Sequence, residues 1–192
     1  MTWLIIGLVL FLVPHSVRMV ADHWRTATLA RVGEGRYKGV YTVVSIVGLG
    51  LIIYGFGLAR QQPVQLWSPP TGMRHLASLL MLVSFVLLTA AYVPRNQIKA
   101  RLHHPMVLGV KTWALTHLVA NGNAAHVVLF GSFLVWGVWN FVASRRRDRA
   151  QNVVYAAGTA GATGTTVVVG LAAWGVFAFV LHGWLIGVRP LG

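Results

Sequence analysis

The sequence predicts an all-α, polytopic integral membrane bundle of about six transmembrane helices. Of its 192 residues, 56% are hydrophobic and only 10% are charged, where a soluble domain would carry about 25% charge. Mean hydropathy is +0.67, and the basic residues fall in the gaps between apolar runs. The net charge of +13 would point to nucleic acid in a soluble protein. Here its placement is explained by topology, so the expected surroundings are lipid and no nucleic-acid partner is expected.

A transmembrane helix needs roughly 20 mostly apolar residues. Six stretches come near that length: Thr2–Val20, Gly39–Ala59, Met73–Val93, Pro105–Ala120, Ala124–Ser144 and Thr165–Val188. The first lacks the basic leader and small-residue cleavage site of a secretory signal, so it is expected to be a retained span. The fourth is the shortest and carries Lys111 in mid-span. Trp3, Trp67, Tyr92 and Trp184 fall near the expected interfaces, where amphipathic rings are favoured. The run Ala156–Thr166 is rich in Gly, Ala and Thr and is expected to be a flexible linker. No internal repeat is evident, and residues 1–192 are expected to form a single domain.

Orientation follows from lysine and arginine. The gaps 18–38, 94–104 and 145–164 hold twelve of them, and the opposite side holds only Arg60, Arg74 and Arg189. The positive-inside rule therefore places these loops in the cytoplasm and both termini outside. In a bacterial inner membrane that is the periplasmic side.

The chain has no cysteine. This excludes disulfides, iron–sulfur clusters, thiolate-ligated haem and covalent c-type haem attachment. Its carboxylates are Asp22, Glu34 and Asp148, all expected in the cytoplasm. General acid–base chemistry at membrane depth therefore has no carboxylate to draw on.

Histidines remain. An ionisable side chain in hydrocarbon is costly and usually functional, and neutral imidazole can hold a haem iron. His23, His75, His103 and His126 lie near expected helix ends and read as interfacial polar residues. His15 is different, because Arg18 and Asp22 follow at helical spacings on its face. Either Arg18 pairs with Asp22 while His15 joins two helices, or His15 is a ligand and Arg18 anchors a haem propionate. His117 shares a face with Trp113 and Asn121, one turn away on either side. It is either an interhelical hydrogen-bonding group or a ligand. Lys111 needs a carbonyl, a water-filled cavity or an anionic ligand group. His104, before Pro105, caps a helix start, where the positive helix end favours the neutral ring. His182 is a weaker candidate near the external end of the last span.

These residues carry a resemblance. Pro14-His15-Ser16-Val17-Arg18, Gly33-Glu34-Gly35-Arg36-Tyr37-Lys38-Gly39, Arg74-His75-Leu76 and His182-Gly183-Trp184-Leu185-Ile186-Gly187 match short stretches of a known family. So does the longest run, from His104-Pro105-Met106 through Gly109 to Trp113-Ala114-Leu115-Thr116-His117-Leu118-Val119-Ala120-Asn121-Gly122. On them the chain resembles the NnrU family of bacterial membrane proteins linked to nitrite and nitric oxide reduction, to which the plant 15-cis-ζ-carotene isomerase is related. The resemblance implies haem b as cofactor. It places the iron ligands at His15, in an H-S motif, and His117, in a W-x-x-x-H motif; His104 is the alternative partner for His15. Arg18 and Lys111 are the expected propionate partners. The isomerase has a cysteine three residues before its second histidine, and that position here is Ala114.

Three functions follow as expectations. The first is a haem-bearing protein that supports nitrite and nitric oxide reduction by electron transfer or reductase assembly, with a membrane reductase as partner. The second is a haem-dependent cis–trans isomerase acting on a polyene. The third is a haem-free membrane partner or transporter. The sequence does not decide whether the chain is an enzyme.

Overall fold

A computed structural model describes residues 1–191, and among these residues every regular element is helical. In chain order they are α1 (Thr2–Val20), α2 (Asp22–Val32), α3 (Glu34–Ala59), α4 (Met73–Tyr92), α5 (Gln97–Leu102), α6 (Pro105–Ala120), α7 (Ala124–Ala150) and α8 (Ala160–Val176). A π-helical turn, Phe177–Leu181, then leads into α9 (His182–Ile186). Five segments are long and apolar enough to cross a membrane: α1, α3, α4, α7 and the stretch Ala160–Ile186. The fourth expected span is the shorter α6, which has its expected bounds but is not among these five.

The chain divides into two compact units, residues 1–67 with 123–136 and residues 68–122 with 137–192. Helix α7 contributes its first half to one and its second half to the other.

In the first unit, α1 packs on α3 through glycine. Gly7, Gly48 and Gly55 are buried where the two helices meet. A Cβ added to Gly7 would lie 2.6 Å from the Ile52 backbone nitrogen, and one on Gly48 would lie 2.8 Å from that of Phe11. Small residues that let backbones touch are the usual means of joining helices where no water remains to be expelled. Val43, Ile46 and Ile53, all more than half exposed, form the outward face of α3 and suit lipid contact.

In the second unit, α4 is the central helix. Gly109 of α6 presses on Ser84 and Leu88, and Gly170 of α8 presses on the backbone of Val86. The buried Ser84 hydroxyl donates to the Gly109 carbonyl at 2.8 Å.

Four expectations need correction. The face shared by His15, Arg18 and Asp22 is interrupted, because α1 ends at Val20 and Ala21 leaves helical geometry (φ −142°, ψ 47°). Asp22 starts α2 instead, with Arg25 at 3.9 Å. Helix α7 runs six residues past the expected end at Ser144, to Ala150, because charged side chains end a hydropathic run without ending a helix. The expected linker Ala156–Thr166 is largely ordered. Helix α8 starts at Ala160, with Thr159 as N-cap accepting from the Ala162 N–H at 3.2 Å. The Thr159 N–H donates to the Arg95 carbonyl at 2.8 Å, and Gly158 lies so close to Asn96 and Gln97 that no side chain fits. Finally, the last span is not one regular α-helix, since it passes through the π-helical turn.

Candidate functional site

In the first unit His15 lies on α1, one residue after Pro14. Pro14 has no N–H, so the Leu10 carbonyl loses its helical partner. Membrane helices tolerate such a residue where neighbours compensate. The Nδ1 of His15 lies 2.6 Å from the Phe11 carbonyl. A carbonyl only accepts, so Nδ1 carries the proton and the lone pair of the neutral ring is on Nε2. That is the arrangement of a metal-binding histidine, whose other nitrogen is fixed by a hydrogen bond.

Aromatic rings surround His15. Phe11 stacks on it at 4.2 Å between centroids, Tyr41 of α3 lies at 5.0 Å, and Trp136 of α7 meets it edge-on at 6.3 Å. The indole Nε1 of Trp136 is buried with no hydrogen-bond partner. An unsatisfied buried donor costs about 1–3 kcal/mol, so it is a place for an acceptor group. Arg18 is exposed one turn beyond His15.

In the second unit His117 repeats the pattern. Its Nδ1 lies 2.9 Å from the Trp113 carbonyl, one turn back on α6, so its lone pair is also on Nε2. The Trp113 ring is 5.5 Å away, and the Asn121 side chain donates to the His117 carbonyl at 3.0 Å. Lys111 lies over Gly137, where the absence of a side chain makes room for its stem. Its Nζ stands 4.9 Å above the Phe141 ring, a cation–π contact in place of the carbonyl, cavity or anionic group expected for this mid-span charge. Ala114 is fully buried.

His104 is placed differently. Its Nε2 lies 2.8 Å from Asp148 Oδ2, and the hydroxyl of Tyr155 donates to the same oxygen at 2.9 Å. His103 and Arg145 stand 4.0 and 3.9 Å from that oxygen, and the Arg145 guanidinium donates to His103 Nδ1. Burial first, then the bonded Asp148, pushes the Tyr155 phenol up to about 12. Burial first, then the Arg145 charge, holds His103 below its ordinary value. His104 thus engages a carboxylate through Nε2, whereas His15 and His117 engage a backbone carbonyl through Nδ1.

Nδ1 is engaged in His126 and His182 as well. It is 2.6 Å from the Asn123 side-chain oxygen in His126 and 2.6 Å from the Val188 carbonyl in His182. These partners lie at a helix start and beyond a helix end. Only His15 and His117, among the described residues, fix the ring on the carbonyl one turn back in their own helix. No group of three or more His, Asp or Glu side chains able to hold a bare metal ion occurs among the described residues. Imidazole ligation of a macrocycle-held iron does not need one.

Sequence reasoning missed Trp136, Tyr41 and Tyr155. A tryptophan in an apolar run carries no local sign of which helix it faces. Tyr155 stands in a loop whose partner Asp148 is reached only through the fold.

Compared with known families, the chain matches the model described as NnrU protein over residues 3–190. No curated protein matches it, and no solved structure does.

Proposed function

The chain belongs to the NnrU family, and from that premise we propose that it is a haem b-carrying inner-membrane protein supporting nitrite and nitric oxide reduction. The observation that carries this reading is the shared state of His15 and His117. Each ring is fixed through Nδ1 on its own helix, which is how a metal-binding histidine is oriented. The donor set fits haem b: imidazole nitrogen in an apolar, aromatic setting, with no cysteine to make a thiolate or a covalent link. When bound, the haem supplies one-electron chemistry, its potential set by axial ligation and burial.

The chain's own residues then have separable tasks. His15, in the first unit, and His117, in the second, are the candidate ligands. Phe11, Tyr41 and Trp136 exclude water around His15, and the Trp136 N–H offers a donor to an acceptor group there. Arg18 and Lys111 are the cations available to propionates, with Lys111 drawn away from Phe141 in that event. A membrane reductase is the partner this role requires, and both termini face the periplasm.

The visible spectrum of the detergent-purified protein, oxidised and reduced, is the direct test. Low-spin haem b absorption is expected, and His15→Ala and His117→Ala are expected to change it while the protein stays in the membrane. Wild-type spectra for both variants would refute these ligands, and the absence of any haem absorption would refute the cofactor. Deleting the gene should slow nitric oxide consumption. Accumulated cis-polyene with normal nitric oxide reduction would instead assign the isomerase role, despite Ala114.

A further inference from the structure

At the end of α7, the second unit has an open cleft of about 230 Å³, lined by His103, Arg145, Asp148, Arg149, Asn152 and Val153. We propose that this cleft binds a phosphate group, carried by an anionic lipid headgroup or free in solution.

The charge balance is the first reason. Arg145 and Arg149 lie four residues apart on α7, a spacing at which like charges repel. Asp148 lies between them in sequence but is committed elsewhere. Its Oδ2 takes the Tyr155 hydroxyl at 2.9 Å and His104 Nε2 at 2.8 Å. Arg145 reaches that oxygen only at 3.9 Å. Arg149 is exposed and forms no ion pair among the described residues. One carboxylate, already shared among several donors, thus stands against two guanidinium groups. A guanidinium fork matches phosphate geometry.

Backbone geometry is the second reason. The cleft is bounded by His103 at φ 71° and Asn152 at φ 48°, two non-glycine residues in the sparsely populated left-handed region. Such strain persists where surroundings over-determine it and clusters at ligand clamps.

Location is the third. The arginine run at this helix end marks the cytoplasmic side, whose leaflet carries anionic lipids. Val153 lines the cleft and Val154 beside it is 91% exposed, an apolar shoulder suited to the glycerol and upper acyl carbons. Burial and the Arg145 charge hold His103 below its ordinary value; a bound phosphate would raise its titration.

The test uses the full chain in detergent. It is mixed with phosphatidylglycerol or phosphatidylcholine, and retained lipid is counted by native mass spectrometry. Inorganic phosphate is titrated in a parallel arm. Each basic side chain at a membrane surface contributes about fivefold. Arg149→Gln, an exposed change that should not disturb folding, should therefore cut phosphatidylglycerol retention about fivefold. Arg145→Gln with Arg149→Gln should cut it about 25-fold. Arg31→Gln, in the other unit, should leave it unchanged. Retention of phosphatidylglycerol alone assigns a lipid source. Binding of inorganic phosphate that the same variants abolish assigns a free one. Equal loss in Arg31→Gln, or binding of neither probe above the phosphatidylcholine level, overturns the proposal.

Discussion

Helix α3 contains two kinds of glycine, and replacing them should change stability in opposite directions. At Gly48 an added Cβ would stand 2.8 Å from the Phe11 nitrogen and 3.1 Å from the Leu10 carbonyl carbon. Ordinary contacts begin near 3.4 Å, so α1 would have to retreat by several tenths of an ångström. The obstacles are backbone atoms of α1, which no rotamer change can move. Overpacking of this kind costs about 1–3 kcal/mol. At Gly50, two residues on, an added Cβ meets nothing within 4 Å. Alanine there gains only helix propensity, about 0.8–1.0 kcal/mol. The expected outcome is that Gly48→Ala destabilises and Gly50→Ala is neutral or stabilising. Both substitutions gain helix propensity, so the gap between them should be the overpacking cost alone, about 1–3 kcal/mol. Reversible unfolding in mixed micelles against the fraction of denaturing detergent measures both on one scale. The same sign and size for the two variants would refute the backbone contact of α1 with α3.

Asp148→Asn should bring the Tyr155 phenol down from about 12 towards the ordinary value near 10, read at 295 nm with Tyr155→Phe as the blank. A phenol raised in this way favours the folded chain below the ordinary value, and that contribution is lost as pH rises through about 12. His103 has the opposite linkage. Because it is held below its ordinary value, the unfolded chain takes up the proton first, and this group's contribution falls as pH drops below about 6.5. Arg145→Gln should raise its titration midpoint, followed by imidazole NMR. Reporter fusions after Arg36, Lys99 and Arg149 should signal cytoplasm and one after Asn123 the outside; a cytoplasmic signal at Asn123 would remove α6 as a span. Thr159→Ala should cost about 1 kcal/mol, the usual loss of an N-cap.

What the sequence made legible depended on how local the cause was. Helices α1 and α6 have the expected bounds, Thr2–Val20 and Pro105–Ala120. Apolar length sets the first, and a proline at its start sets the second. Helix α2 escaped notice because Asp22–Val32 is polar, with no buried residue. Nothing in its pattern separates it from a charged loop. The order of the Gly-Ala-Thr stretch comes from the Arg95 carbonyl and the Asn96–Gln97 backbone, some sixty residues away in sequence, and no local composition encodes that. Likewise the glycines of α3 look alike in sequence, and only the position of α1 separates Gly48 from Gly50. For the candidate site, His15 and His117 stood out as polar residues in apolar runs. Which nitrogen each presents became clear only from the carbonyl one turn back. Asp148 as the partner of His104 could not be read at all, since forty-four residues separate them.

The polar groups of the spans follow one economy, and it bears on function. Ser16, Thr89, Thr112, Thr116, Ser132 and Thr166 each donate to the carbonyl four residues back in their own helix. Hydrocarbon offers no water, so a hydroxyl satisfied within its helix is safe at any depth. Ser84 departs from this pattern by bonding across to Gly109. Helix joining is thus left largely to glycine contact. An imidazole obeying the same habit has a second ring nitrogen that a hydroxyl lacks. His15 and His117 bond back as serine and threonine do, and each still carries a lone pair on the far side of the ring. A hydroxyl would have served as well for structure alone. On the function proposed above, what imidazole adds at both positions is a nitrogen able to bind iron, which in a chain with no cysteine and no carboxylate expected in mid-span would serve cofactor chemistry rather than proton transfer.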